Sequence, residues 1–120
     1  MEKDLLNIIP VLPSQDINRD VEWYENHTGF NCIYKDKMYA VLRRGAVGIH
    51  LQWHADNEDD PLLGGSVIRI SVEDIHPIFK EFVEKGTVDA NKLRLKTAWN
   101  TNEFGFYDLN KNALFITESL

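Results

Sequence analysis

The sequence predicts an α+β protein in which two βαβββ modules, residues 1–54 and 65–120, form one curved mixed sheet. Three observations predict this fold. The chain has 120 residues, the length of one domain. Strand-like and helix-like segments follow in the same order in both halves, and Asp16-Ile17 aligns with Asp74-Ile75 at the two helix starts. Neither module can bury its own sheet, so we expect them to close against each other, or against a second chain, around a cleft.

The first module begins with a predicted strand at residues 4–12. Pro10 removes a ladder hydrogen bond there and indicates an edge, a bend or a hinge. Asp16 is the predicted N-cap of a helix that ends at Gly29, and the buried stripe of this helix is Ile17, Val21 and Tyr24. Segments short enough for hairpins separate the next three predicted strands, Phe30–Tyr34, Met38–Arg43 and Val47–Trp53.

The composition changes at residues 54–64, which are polar and acidic, and we place a linker at 55–64. A strand is predicted at Ser66–Val72, and Asp74 then caps a second helix with Pro77 in its first turn. The apolar face of that helix is Ile75, Ile78, Phe79, Phe82 and Val83. After Gly86 the predicted strands are Leu93–Trp99, Glu103–Asp108 and Ala113–Thr117.

Charge and composition exclude several classes of partner. Thirteen Lys and Arg against nineteen Asp and Glu give a net charge of -6, which repels a phosphate backbone, so we expect no nucleic-acid partner. The apolar stretch Leu5–Leu12 is interrupted by Asn7 and Pro10 and is too short to span a membrane. The acidic start of the chain is unlike a secretory signal, and Cys32 has no cysteine to pair with. We therefore expect a cytoplasmic protein.

The sequence offers no recognisable catalytic apparatus. His27, His54 and His76 form no ligand pair with one another, and His50 and His54, four residues apart, lie across a strand end where they need not converge. The acids of Glu58-Asp59-Asp60 are typical of a solvated loop. GxSxG, P-loop and GxGxxG motifs are absent from the sequence. We expect neither a metal nor another cofactor.

Aromatic side chains are the most distinctive candidates for binding. Most aromatics on strands belong to a hydrophobic core. Trp99 is the exception, because it ends a predicted strand beside the polar run Asn100-Thr101-Asn102, where one ring face is available to a flat heteroaromatic ligand.

Four segments of the chain carry a resemblance to a known family. They are IPVLPSQDINRDVEWYENHTGF at 9–30, YAVLRRGAVGIHLQWHAD at 39–56, VEDIHPIFKEF at 72–82 and AWNTNEFGFYDLNKNALFI at 98–116. With them the chain resembles the bleomycin resistance proteins, the drug-binding branch of the glyoxalase and dioxygenase (vicinal oxygen chelate) superfamily. The resemblance implies two βαβββ modules per chain and a homodimer with clefts at the subunit interface, often with the N-terminal strand exchanged about a proline such as Pro10.

The resemblance also bears on metals. The ligand positions of metal-dependent members fall on or next to Ile9, His50, Ser66 and Phe115, of which only His50 is able to bind a metal. The chain therefore resembles the metal-free binding branch. Two alternatives stay open: a metal-dependent lyase, isomerase or dioxygenase of unknown substrate, and a structural or regulatory dimer whose cleft is incidental.

Carried over by position, the resemblance implies a ligand groove. Phe30 and Tyr34 form its walls, Gln52 hydrogen-bonds the ligand and Trp99 stacks at the mouth, while Trp53 and Asn100 lie near it. The expected ligand is bleomycin-like or another planar cationic small molecule, for which the acidic balance of the chain is suited.

Overall fold

The computed structural model describes residues 4–62 and 65–120 and confirms the α+β class. The elements of the first module are β1 (Val11–Ser14), α1 (Ile17–Thr28), β2 (Asn31–Lys35), β3 (Tyr39–Arg44) and β4 (Val47–Trp53). Those of the second are β5 (Val67–Ser71), α2 (Ile75–Glu84), β6 (Thr101–Tyr107) and β7 (Ala113–Ser119). Residues 63 and 64, at the end of the predicted linker, lie outside the described residues, and 54–62 form a loop.

The described strands form two small mixed sheets instead of one curved sheet. The first has the order β1-β4-β3-β2 and the second the order β5-β7-β6. In each sheet the first strand of the module pairs in parallel with its last strand, β1 with β4 and β5 with β7, and the other pairs are antiparallel. The repeat of elements seen in the sequence thus corresponds to a strand topology that both modules share.

Two predicted strands differ from the structure. The first begins at Val11 and not at residue 4, and the segment before it leaves Leu6 and Ile8 90% and 95% exposed. The strand predicted at Leu93–Trp99 is reduced to a single bridge between Arg94 and Glu103. The reason is local, because residues 96–101 fold back on themselves. The Thr97 amide donates to the Thr101 carbonyl, and Lys96 has a left-handed φ of 51°. The second module therefore has three strands.

Both helices start at the predicted caps. The Asp16 carboxylate accepts from the Arg19 amide at 3.1 Å, and the Asp74 carboxylate accepts from the His76 amide at 3.0 Å. Gly29 ends α1 with a φ of 72°. The helices bury Ile17, Val21, Tyr24, Ile75 and Phe82 against one face of the sheets. None of the described helices is long and apolar enough to cross a bilayer.

A buried polar network joins the two modules. The Tyr24 hydroxyl donates to Asp108 at 2.6 Å, and the Asn110 amide donates to Asp20 at 2.7 Å. Asn112 donates to the Pro13 carbonyl at 3.1 Å. These contacts join α1 and β1 of the first module to the turn between β6 and β7.

Candidate functional site

Each sheet has one face covered by helices and one open face. In β3, Ala40 and Leu42 are fully buried, whereas the alternating residues Tyr39, Val41 and Arg43 are not. The cross-strand register extends this open face over β1 and β4. We call the side that carries Pro13, Tyr34, Tyr39, Val41, Arg43, His50 and Gln52 the first open face.

A polar pair lies in the middle of the first open face. The Tyr39 hydroxyl and His50 Nδ1 share a hydrogen bond of 2.8 Å, and their rings meet edge to face at 5.4 Å. Gln52 pairs with Tyr39 in the next position of the register and is exposed. This face can therefore offer side-chain hydrogen bonds beside the apolar surface of Val41.

On the second sheet, Glu103 is the centre of the open face. Only 1% of this residue is exposed, and its Oε1 accepts from Arg69 Nη2 at 2.8 Å, Trp99 Nε1 at 2.8 Å and Thr101 Oγ1 at 2.6 Å. Burial raises the pKa of Glu103, but the three donors outweigh it and hold the pKa at about 2. Glu103 is thus a carboxylate at neutral pH, and it fixes the orientation of Arg69 and Trp99.

Two aromatic rings lie beside Glu103. The Phe115 ring packs over Gly105, where a Cβ atom would come within 2.7 Å of it. The guanidinium of Arg69 lies 5.5 Å from the centre of the Phe115 ring, and that of Arg94 lies 5.1 Å from Trp99. We call the side that carries Arg69, Thr101, Glu103, Gly105 and Phe115 the second open face; Trp99 stands at its end.

A groove of about 460 Å³ lies between parts of the two open faces. Its wall is formed by residues 7–10 before β1, by 41–43 and 46–50 of the β3–β4 hairpin, and by 68–71 of β5. Its size is in the range of small-molecule sites.

Four of the six site residues predicted from sequence are accessible. Tyr34 is 53% exposed on the first open face, where a bulge in β2 sets its register, and Gln52 is on the same face. Trp99 is 54% exposed and occupies the turn before β6. Asn100 follows it with a left-handed φ of 63°. The structure thus groups Tyr34 with Gln52 on one sheet, and Trp99 with Asn100 at the end of the other.

The other two predicted site residues lie elsewhere. Phe30 is 3% exposed and belongs to the hydrophobic core, because the chain turns inward after Gly29. Trp53 has the same strand parity as Ile49 and Leu51, so it lies on the helix-covered side, where its Nε1 donates to the Gln15 carbonyl at 3.0 Å. Neither side chain walls the groove.

Sequence reasoning missed Arg69, Glu103 and Phe115. A signal was present for Glu103, an acidic residue at the start of a predicted strand and next to Phe104. Alternation along that strand places Glu103 opposite to the buried Phe104 and Phe106. The partners of Glu103 come from β5 and from the turn before β6, and their convergence is a product of the tertiary fold.

Metal-ligating side chains are dispersed in the structure. Within residues 4–62 and 65–120, no three His, Cys, Asp or Glu side chains form a group that could hold a metal ion. His50, which the resemblance placed at a candidate ligand position, is hydrogen-bonded to Tyr39.

Comparison with known proteins gives the family context. No protein-family model matches the chain. A bleomycin resistance protein of Geobacillus stearothermophilus is 26% identical over 124 residues, covering 92% of this chain and 94% of the relative. This chain is therefore similar in sequence to the bleomycin resistance proteins over nearly its whole length.

Solved structures show the same fold as in the bleomycin resistance proteins. A bleomycin resistance determinant encoded on the transposon Tn5 superposes with a TM-score of 0.79 at 19% identity, covering 96% of this chain and 98% of that one. A bleomycin-binding protein complexed with bleomycin superposes with a TM-score of 0.77 at 19% identity, covering 97% and 100%. The fold predicted from the two modules is therefore confirmed as the bleomycin resistance type.

Proposed function

We propose that the protein binds and sequesters a bleomycin-type or another planar, cationic small molecule, without chemical turnover, in a cleft between two copies of the chain. In this proposal it acts in the cytoplasm. The homology to a bleomycin resistance protein and the fold shared with a bleomycin-binding protein support the ligand class. The single observation that carries the proposal is the held, half-exposed indole of Trp99.

Trp99 has the properties of a stacking residue. Its Nε1 is fixed by a buried carboxylate, and 54% of the residue remains exposed. A ring held in this way loses little conformational entropy when a planar ligand stacks on it. Because Glu103 is already ion-paired with Arg69, the attraction for a cationic ring system comes from the indole face itself.

Polar side chains complete the proposed site. The exposed amides of Gln52 and Asn100 can donate and accept hydrogen bonds, and the exposed ring of Tyr34 adds an apolar wall. Because Tyr34 and Gln52 lie on the first sheet and Trp99 and Asn100 on the second, a ligand that contacts all four must bridge two open faces. A cleft between two chains brings such faces together.

Exposed apolar surface supports the dimer. Leu5, Leu6 and Ile8 are 86%, 90% and 95% exposed, and Val11 on the adjoining strand is 46% exposed. Burial of such side chains contributes about 25 cal/mol per Å² of apolar area removed from water, which offsets part of the entropic cost of association. A second copy of the chain would cover them and enclose the open faces.

The experiment is a tryptophan-fluorescence titration with metal-free and copper-loaded bleomycin, with calorimetry as a second readout. We expect saturable quenching in the micromolar range or below, with one ligand per chain. The Trp99→Ala variant should bind at least tenfold more weakly with only a small decrease in melting temperature, because the exposed ring leaves no core cavity and Glu103 keeps two of its three donors.

Two controls sharpen this titration. Trp53→Phe alters a ring on the helix-covered side, so bleomycin affinity should stay at the wild-type value. Trp99→Phe keeps a ring and removes only the donor to Glu103, and its affinity should be intermediate. Equal losses in Trp53→Phe and Trp99→Ala, or no quenching up to hundreds of micromolar, would contradict the proposal.

A further inference from the structure

We propose that the groove between the two open faces also binds an organic anion, a carboxylate with an apolar body, between Arg43 and Arg69. This ligand class goes beyond the planar cation proposed above. Trp99 does not line the groove, so the two binding activities are separable by mutation.

The lining of the groove has a charge opposite to that of the chain. The chain has nineteen Asp and Glu against thirteen Lys and Arg. The lining residues include Arg43 and Arg69 and no Asp or Glu. A concave surface with one sign of charge and apolar walls concentrates ligands of the opposite charge.

Arg43 supplies an uncompensated positive charge. It follows the buried Leu42 in β3, so its side chain lies on the first open face, and it is exposed. Arg43 makes no ion pair in the parts of the chain that the structure describes, whereas Arg44 next to it is paired with Glu81. An anion bound in the groove would therefore be able to form an ion pair with Arg43.

Arg69 supplies a second guanidinium in a fixed orientation. One nitrogen, Nη2, donates to Glu103 at 2.8 Å, and the Phe115 ring lies against the guanidinium at 5.5 Å. A guanidinium has five N–H donors, so most of them remain for a ligand. Glu103 offsets the charge of one arginine only, which leaves the groove with a net positive charge.

The other residues that line the groove indicate the chemistry of the uncharged part of the ligand. Apolar residues line the groove beside the two arginines, among them Ile8, Ile9 and Val41. They match an apolar body, and they lower the local dielectric, which strengthens the attraction between a carboxylate and the arginines. A groove of about 460 Å³ is suited to a body of one or two rings.

The test compares two probes with the same ring system and opposite charge, 1-naphthoate and 1-naphthylmethylammonium, by isothermal titration of the full chain. We expect naphthoate to bind at least fivefold more tightly than the ammonium compound. Arg43→Gln should weaken naphthoate binding at least fivefold, and Arg43→Lys should restore part of the loss. Lys80→Gln, which removes the same charge from an exposed position on α2, should have no effect.

Other outcomes would overturn the inference. Equal affinity for the two probes would show a purely apolar groove, and tighter binding of the ammonium compound would show a cation site. Loss of naphthoate binding in Trp99→Ala would place the probe on the indole and not in the groove. Bleomycin titrations of the same variants test the proposed function separately from this inference. If wild type does not bind bleomycin, the naphthoate result still stands.

Discussion

Glu103 illustrates how one buried charge can organise an exposed surface. Its Oε1 accepts three hydrogen bonds, one of them from an indole and one from a guanidinium. The carboxylate is nearly inaccessible, while Trp99 and Arg69 extend from it into the solvent. The charge therefore acts on ligands mainly through the two side chains that it orients.

The low pKa values of Glu81 and Glu103 predict acid sensitivity. Arg44 and Lys85 hold the pKa of Glu81 at about 2, against partial burial that raises it, and Glu103 also has a pKa of about 2. The usual value is 4.5 for both groups. The folded state thus binds fewer protons than the unfolded state, and the stabilisation present above pH 4.5 is lost as the pH falls toward 2.

Urea unfolding at a series of pH values checks this prediction. The unfolding midpoint should change little between pH 7 and 5 and fall below that. Glu103→Gln should lower the midpoint at pH 7 and flatten its decrease in acid, because one of the two linked groups is gone. A variant with the wild-type acid dependence would show that Glu103 does not contribute.

Phe82 should make a larger contribution to stability than Phe79. Phe82 is 1% exposed, and its ring packs against Phe104 and Phe106, whereas Phe79 is only partly buried. We expect Phe82→Ala to lower the free energy of unfolding by about 3–5 kcal/mol because it leaves a cavity. Phe79→Ala is the matched control and should lose less in the same urea titration; the reverse order would contradict the packing described.

At the scale of elements, the C-terminus of α1 depends on Gly29. Gly29 and Gly45 both have left-handed φ values, 72° and 58°, so alanine at either position costs about 1–2 kcal/mol. A Cβ at Gly29 would also lie 2.7 Å from Arg44 Nη1, which pairs with Glu81 on α2. Gly45 has open space around it.

Gly29→Ala should therefore destabilise the protein more than Gly45→Ala does, as measured by urea unfolding. The difference should shrink in an Arg44→Ala background, because the displaced side chain is then absent. An unchanged difference in that background would show that the Arg44 contact with α2 is not the cause.

Most of the helices and strands could be predicted from the sequence. Both helix starts and most strands follow from capping residues and alternation, which are local properties. The strand predicted at Leu93–Trp99 does not form, because its last residues instead close a turn through hydrogen bonds to Thr101 and Asn102. The start of β1 is later than predicted since residues 4–9, although mostly apolar, form no ladder pairs with a described strand.

Only part of the candidate site could be predicted, because local sequence patterns indicate exposure but not tertiary contacts. The exposure of Trp99 follows from its polar neighbours in sequence. Trp53 was placed near the groove, although its parity with Ile49 and Leu51 indicates the helix-covered side. The clustering of Arg69 and Trp99 around Glu103 depends on sheet register and was beyond reach.

At the scale of the whole molecule, the solvent-accessible surface area is larger than is typical of a monomer of this mass. The accessible area is 7845 Å², whereas a typical monomer of this mass exposes about 6,700 Å². The excess includes the segment before β1, with Leu5, Leu6 and Ile8 in solvent. An area of this order fits a chain that has a partner copy.

The dimer prediction is testable by sedimentation velocity. Wild type should sediment as a dimer at micromolar concentration, and the double variant Leu6→Ser, Ile8→Ser should shift toward the monomer. Its monomer fold should be retained, because both side chains are almost fully exposed. Leu109→Ser removes an exposed leucine from the turn after β6 and should remain dimeric. A monomeric wild type would contradict the prediction.

The polar network between the modules has a consequence for biosynthesis. Asp20 and Tyr24 belong to the first helix, but their partners Asn110 and Asp108 come from the last turn of the chain. Until that turn has left the ribosome, the Tyr24 hydroxyl lacks Asp108 and Asp20 keeps only Ser14 and Arg19 as partners, and unpaired burial is costly. The N-terminal half is therefore expected to complete its folding only once the β6–β7 turn is available, in a step limited by long-range contacts.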